Sequence, residues 1–290
     1  MENCHLEDYK SELFYRVKYI SGKNAKDTAR KDYHSSVNLI FVYFIEGRGR
    51  IIVEGTVYEL RAGDVILLNP SELFLLDVDD SCFHRRIVLH ANINMIRSFP
   101  CDCSDVFLSL YKRKAGTANI ISAEAAEKYR LGKLFCEILD ILREKSHFCE
   151  PLAVCKIVET VCRVEQTLAN VASESANCVT EDTLINRVLA YVNFHCKEDI
   201  CVQDIADHFR VHRSYLLHRF KKKMGVSLWN YVILRRINLF NNSLADGVSL
   251  EEAAYRVGFS NYSNFFRLYK KYMGLTPLEF KQQHAHSATE

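Results

Sequence analysis

Two stretches near the C-terminal end of this 290-residue chain carry side chains able to touch a nucleic acid. The first offers Arg213, Ser214, Leu217, His218, Lys221 and Lys222. The second offers Asn261, Tyr262, Ser263, Asn264, Arg267 and Lys270. Steps of three and four residues put each set on one face of a helix. Lysine is a mobile point charge that grips phosphate, and Lys221, Lys222, Lys270 and Lys271 suit that role. Base edges need directed donors and acceptors, and Ser214, His218, Tyr262, Ser263, Asn264 and Arg267 are the candidates. The lysines are also compatible with a merely solvated face. Their setting favours contact: residues 210–236 hold eight basic side chains and no Asp or Glu.

The elements that would position these residues are written twice. Ala206 aligns with Ala254 at an offset of 48. Leu216 aligns with Phe265, Phe220 with Tyr269, Lys221 with Lys270 and Gly225 with Gly274 at an offset of 49. The extra residue falls between the two halves of the unit, where a turn is expected. A helix, a turn and a lysine-ended second helix, used twice, outline a tandem helix-turn-helix reader of double-stranded DNA.

In the first copy residues 202–209 form the expected support helix, with Ile205, Ala206 and Phe209 inward. The reading helix starts near residues 212–214 and is expected to bury Tyr215, Leu216 and Phe220. Cys201 is a poor cap. The second copy opens on Ser249-Leu250-Glu251-Glu252, a capping box in which Ser and Glu side chains satisfy free amides. Gly258 suits a left-handed turn, and Phe265 and Tyr269 point inward. Residues 228–244 read as a long joining helix ended by Asp246-Gly247. On it Trp229, Val232, Ile233, Ile237 and Phe240 are expected to stitch the copies together. One more helix, over residues 180–195, precedes the first copy.

The N-terminal half has a different rhythm. Residues 37–45 are an apolar run, 50–60 alternate in part, and 65–68 are apolar again, with Gly and Asp turns between them. Gly47 closing one hairpin, then Gly63-Asp64 entering a strand that ends at Pro70, resembles a cupin barrel. At the four positions where such barrels hold a metal this chain has His34, Ser36, Ile40 and Phe74. Three of the four cannot supply the usual ligand, so no metal and no cofactor is expected. Period two sends His34, Ser36, Asn38, Ile40, Val42 and Phe44 to one face, with Phe74 joining them. Apolar walls with a few polar groups make a ligand pocket, and His34, Ser36, Asn38, Phe44 and Phe74 are the candidates for effector contact. A barrel-mouth histidine over a simply packed interior is the other reading. Arg85, Arg86 and His90 lie on the last strand of the series, on a face the pattern leaves open.

Residues 122–172 read as helix, with Ser122 as cap, a stripe from Leu131 to Leu142, and a second start at Pro151. Burial against the barrel explains the stripe, and self-association is the alternative. Residues 173–177 are small and polar, a linker composition.

Gly258-Phe259-Ser260, Asn264-Phe265-Phe266-Arg267, Tyr269-Lys270-Lys271 and Gly274-Leu275-Thr276-Pro277 resemble the signature of the AraC/XylS family of bacterial transcription regulators. Ile205-Ala206, Tyr215-Leu216, Phe220-Lys221-Lys222 and Gly225-Val226-Ser227 repeat the resemblance. It implies an α+β two-domain chain. A cupin-like effector-binding β-barrel would occupy residues 1–120, with a helical extension over 121–172. A linker over 173–182 would precede an all-α tandem helix-turn-helix domain over 183–290. It further implies a regulator, often a homodimer and often an activator that contacts RNA polymerase, controlled by a small-molecule effector such as a carbohydrate-related metabolite. Three positions depart from the family pattern, among them Arg219, which stands where an apolar residue is usual. His218 stands where arginine is common in the first reading helix, while Arg267 keeps it in the second. Phe240 replaces a small residue on the joining helix.

Composition supports a globular chain, with 48% hydrophobic and 26% charged residues. The net charge of +2 is unevenly spread: residues 180–290 hold 15 Lys/Arg against 11 Asp/Glu, and the rest of the chain 23 against 25. The sign suits an anionic partner for the C-terminal part. No signal peptide and no apolar run of membrane-spanning length are visible, so a cytoplasmic protein without membrane contact is expected. The 11 cysteines are expected to be reduced and mostly buried, with Cys101-Asp102-Cys103 a loop rather than a metal clip. Two further classes compete with a regulator: a cupin-type metal enzyme tethered to DNA, and a thiol redox sensor.

Overall fold

The computed structural model describes residues 5–11, 14–23, 36, 38–70, 72–79, 82–92, 113, 115–171, 183–244 and 248–285. The chain divides into two compact units, the first drawn from residues 1–179 apart from 32–37, the second from residue 180 onward together with 32–37.

The strands of the first unit are β1 (His5–Lys10), β2 (Tyr15–Gly22), β3 (Leu39–Glu46), β4 (Gly49–Val53), β5 (Thr56–Leu60), β6 (Val65–Leu68), β7 (Phe74–Val78), β8 (His84–Ala91) and β9 (Ile120–Ile121). They form a six-stranded sheet in the order β1-β2-β8-β3-β6-β9 and a three-stranded sheet in the order β5-β4-β7. Among the described residues the pairing stays within each sheet, so the cupin-like fold expected from the sequence takes the form of two facing sheets. Between them pack Ile40, Val42, Phe44, Ile66 and Leu68 from the larger sheet, and Ile51, Val53, Leu60 and Val78 from the smaller.

The larger sheet is covered on its other face as well. There Leu39, Phe41, Val65, Leu67, Ile87 and Leu89 meet helices α1 (Ala123–Lys128), α2 (Leu131–Glu144) and α3 (Cys149–Val171). Burial on both faces explains why β3 reads as an unbroken apolar run rather than an alternation. Each such side chain contributes roughly 1.5–3 kcal/mol relative to exposure. Gly132 lets α2 approach closely, since a Cβ there would lie 2.5 Å from the Tyr43 ring.

Three expectations about this unit need correction. Residues 50–60 are two strands, not one. Glu54 (φ 47) and Gly55 (φ 86) form a two-residue turn, and Val53 pairs with Thr56 across it. The helical stretch after Ser122 is three helices, broken at Arg130 and Lys145, which both take left-handed backbone. Strands β1 and β2 were not anticipated, because polar residues interrupt their pattern. Arg143 of α2 helps hold β1, donating to Glu7 at 2.7 and 2.9 Å and keeping that carboxyl down at about 2. Ser122 does cap α1, accepting from the Ala125 amide. His34, Cys101-Asp102-Cys103, the linker at 173–182 and Asp246-Gly247 lie outside the described residues.

The second unit is helical: α4 (Thr183–His195), α5 (Val202–His208), α6 (Arg213–Met224), α7 (Leu228–Ser243), α8 (Leu250–Arg256), α9 (Tyr262–Met273) and α10 (Pro277–Ala285). Both ends of α5 and α8 differ by 48 residues, and both ends of α6 and α9 by 49. On the joining helix α7, Val232, Ile233, Ile237 and Phe240 are buried as expected. Trp229 is not: it is 38% exposed, with the Arg236 guanidinium over its ring.

The cysteines also differ from expectation. Among the described residues Cys196 is buried, Cys82, Cys149 and Cys162 are intermediate, and Cys136, Cys155 and Cys201 are exposed. Cys136 and Cys155 fall beside the buried stripes of α2 and α3 rather than within them. Among the described residues no helix is long and apolar enough to cross a membrane.

Candidate nucleic-acid interface

Each reading helix is fixed by its turn. In the first copy the Val211 amide donates to the Ala206 carbonyl at 3.0 Å; in the second Phe259 donates to Ala254 at 3.1 Å. The inserted residue, Ser260, follows this shared bond. Ala206 and Ala254 are fully buried, as the tight helix crossing requires. The residue preceding each bonded amide has positive φ, 54° at Arg210 and 97° at Gly258. Glycine adopts this conformation freely; arginine does so at a cost.

The caps differ from the sequence reading. Cys201 is helped by Asp204, whose carboxylate accepts from the Cys201 amide at 2.7 Å. The Cys201 side chain hid this, but aspartate three residues on was the available signal. In the second copy Ser249 accepts from the Glu252 amide at 3.1 Å, while the Glu252 carboxylate is engaged by Arg256 at 2.6 Å. His212 caps α6 through the Ser214 amide, and the Asn261 side-chain oxygen caps α9 through the Asn264 amide. Asn261, a candidate for DNA contact, therefore has its oxygen committed to the fold.

The faces then follow from helical spacing. On α6, Leu216, Phe220 and Met224 are buried. Arg213, Ser214, His218, Lys221 and Lys222 are exposed together, with Leu217 half-buried beside them. Tyr215 is not core, as expected, but 47% exposed. It precedes the buried stripe by one residue and shares its side with Arg219, one turn on. Arg219 donates to the Tyr215 hydroxyl and lies 5.6 Å from its ring centre. The spacing of this pair was visible in the sequence; the side on which it lies was not.

On α9, Phe265 and Tyr269 are buried, and the Tyr269 hydroxyl donates to Asn241 at 2.7 Å. Ser263, Asn264, Arg267 and Lys270 are exposed on the helix, and Tyr262 is half-buried. The Tyr262 ring packs 5.6 Å from that of Phe265. Arg267 donates to Asn264 at 3.1 Å, joining the two most directional donors of this helix. The last turns carry Lys221, Lys222 and Lys223 in one copy, Lys270 and Lys271 in the other.

Of the candidate effector residues, Asn38, Phe44 and Phe74 sit in the first unit, while Ser36 is grouped with the second. Phe44 is fully buried between the sheets and Phe74 half-buried against the same cluster. Ser36 and Asn38 are half-buried just ahead of β3. The pairing of β8 resolves the face left open by sequence. His90 lies opposite Ile40, Val88 opposite Val42 and Arg86 opposite Phe44, so His90 and Arg86 share the face of the inter-sheet cluster. Arg86 is 4% exposed. His84, on the same alternation, is fully buried. Burial first, then Lys18 and Arg16, holds His90 at about 4. Arg85 belongs to the opposite alternation and pairs with Glu46 at 2.8 Å. Among the described residues no three His, Cys, Asp or Glu side chains converge as a metal site would.

Comparison with known proteins matches each unit separately. Residues 205–283 match a family model described as a helix-turn-helix domain, and residues 17–92 one described as an AraC-like ligand binding domain. An uncharacterized HTH-type transcriptional regulator of Escherichia coli, YdiP, is 33% identical over 106 residues. That alignment spans 36% of this chain and 35% of YdiP. The Msm operon regulatory protein of Streptococcus mutans is 24% identical over 257 residues, covering 85% of this chain and 84% of its own length. The crystal structure of ToxT from Vibrio cholerae superposes with a TM-score of 0.39 at 16% identity, covering 93% of this chain and 97% of ToxT. With an AraC-like ligand-binding domain ahead of a doubled helix-turn-helix, the chain belongs to the AraC family.

Proposed function

We propose that this protein is a cytoplasmic, sequence-specific DNA-binding regulator, an activator that contacts RNA polymerase, working as a homodimer under control of a small molecule. The observation that carries the reading is the pair of reading helices. They have matching lengths and caps, and each has an exposed basic and polar face over a buried stripe. Ser214, His218, Ser263, Asn264 and Arg267 then contact base edges, with Tyr262 at the margin. Arg213, Lys221, Lys222 and Lys270 grip phosphate, and Leu217 and Asn261 flank them. Selection of bound DNA from a random pool, followed by footprinting, tests this. The expected footprint has two protected blocks on one face of the duplex, one helical turn or roughly 34 Å apart. Binding with no preferred sequence would overturn it.

The effector is assigned to the space between the two sheets. Support comes from the apolar wall of Val42, Phe44 and Phe74 together with polar Asn38, Arg86 and His90; His34 and Ser36 belong to the same proposal from sequence. A carbohydrate-related metabolite could offer hydroxyls or an acid group to that set. Sugars, sugar phosphates and aromatic acids screened by thermal shift on the full chain test it. A true ligand at a hundred times its Kd stabilises by about 2.7 kcal/mol. Dimerisation is assigned to the outer helices, where Phe148 and Leu152 are 71% and 51% exposed. A monomer in sedimentation at micromolar concentration would remove that part.

A further inference from the structure

Arg236 sits on the joining helix α7 and is only 5% exposed. Its Nε donates to the Cys196 carbonyl at 2.7 Å and its terminal nitrogen to the Glu198 carbonyl at 2.8 Å. Both carbonyls lie just past the end of α4. Carbonyls at a helix C-terminus lack intrahelical partners and favour a cation. The same guanidinium lies 5.6 Å from the Trp229 ring centre and 5.7 Å from that of Phe259. Phe259 belongs to the turn of the second copy. One side chain therefore touches the end of α4, the joining helix and the second turn.

Helix α4 is part of the first copy's packing. Tyr191 lies 4.3 Å from the His208 ring and 5.7 Å from that of Phe209, and Arg187 lies over Phe209. The joint on the other side is equally close. A Cβ on Gly258 would lie 2.8 Å from the Lys197 carbonyl oxygen and 3.0 Å from both the Arg236 Nε and the Cys196 carbonyl oxygen. The segment after α4 is thus seated directly on the second turn. Arg210, at the matching position of the first copy, carries a full side chain.

We propose that Arg236 is a positioning residue that locks the two helix-turn-helix copies together, fixing the separation and rotation of α6 and α9. It thereby sets which spacing of DNA half-sites the protein accepts. This rests on the DNA-binding reading above. The guanidinium fork reaches two carbonyls while it lies over two rings. A lysine offers a point charge that cannot reproduce both. Two readers held rigidly at the right span gain a high effective concentration for the second contact, and a loose joint loses it.

The test uses the full chain and the site selected by wild type. Probes carry that site, versions with one or two base pairs added or removed between half-sites, and either half-site alone. Wild type is expected to prefer one spacing sharply. Arg236→Lys should bind the preferred site about tenfold more weakly, keep its affinity for single half-sites, and accept altered spacings more evenly. Trp229→Leu, at a part-exposed position, should show the same pattern more weakly and covers the case in which the lysine variant fails to fold. Variants with native circular dichroism that keep the wild-type spacing profile overturn the proposal. So does an equal loss on single and paired half-sites, the result of a merely structural role. Wild type that selects no sequence at all sinks the DNA-binding reading itself, a distinguishable failure.

Discussion

Apart from their terminal lysines, the two helix-turn-helix copies agree where side chains are buried and diverge where they are exposed. Ala206 and Ala254, Leu216 and Phe265, Phe220 and Tyr269 occupy matching buried positions, and the same amide-to-carbonyl bond closes both turns. On the outer faces, Tyr215 and Arg219 form a stacked cation pair in the first copy. Their counterparts are Asn264 and Leu268, and Asn264 is bonded to Arg267 instead. The difference teaches what each position is for. Burial enforces the repeat, and exposed positions are free to specialise. The second copy carries donors with fixed directions, while the first carries the longer cluster of charge.

The comparison is broken or sharpened most strongly at its reading positions. Arg267→Ala is expected to weaken the selected site roughly ten- to a hundredfold and relax preference at one base pair. His218→Ala should cost less than tenfold, because one histidine makes fewer contacts than an arginine fork. Gel-shift titrations against single-base variants of the site decide, and a larger loss at His218 would invert the ranking of the copies. Next comes the cap. Ser249→Ala should lower stability by about 1 kcal/mol in urea unfolding. Cys201→Ala should change it by no more than a few tenths, because the first copy's cap bond comes from Asp204. Equal costs would mean that the thiol caps as well as the hydroxyl. Lys221→Ala and Lys270→Ala should each reduce the salt slope of binding by about one and weaken all sequences alike. A sequence-dependent loss would move that lysine into the base-reading set.

The helical unit was largely legible because its burial is periodic and repeated. Two independent copies constrain the same boundaries, so α5, α6, α8 and α9 fall where the offsets put them. Tyr215 escaped because aromatic character says nothing about which side of a stripe a residue occupies. Trp229 and Arg236 escaped for a related reason. A buried arginine is recognised only by the carbonyls it meets, and those lie 38 and 40 residues away in sequence. In the sheets, Ile40, Val42 and Phe44 were placed by period two. The hairpin at Glu54-Gly55 was lost inside a run that alternates on both sides. Arg86 and His90 could not be assigned a face until β8 was paired, because register is a property of two strands and neither carries it alone.

Strand β3 is a partition one residue thick. Val42 and Phe44 face the space between the sheets, and Tyr43, between them, faces the helices. The Tyr43 ring stacks on Phe135 at 5.7 Å and presses so closely on α2 that a single methyl group at Gly132 would overlap it. Such a wall has no slack. Under the effector site proposed above, a molecule that spreads the sheets at Val42 would tilt the neighbouring peptide, and the tilt would arrive at α2 without passing along the chain. The route from the inter-sheet space to the helices is then the shortest the domain offers, from one face of a strand to the other.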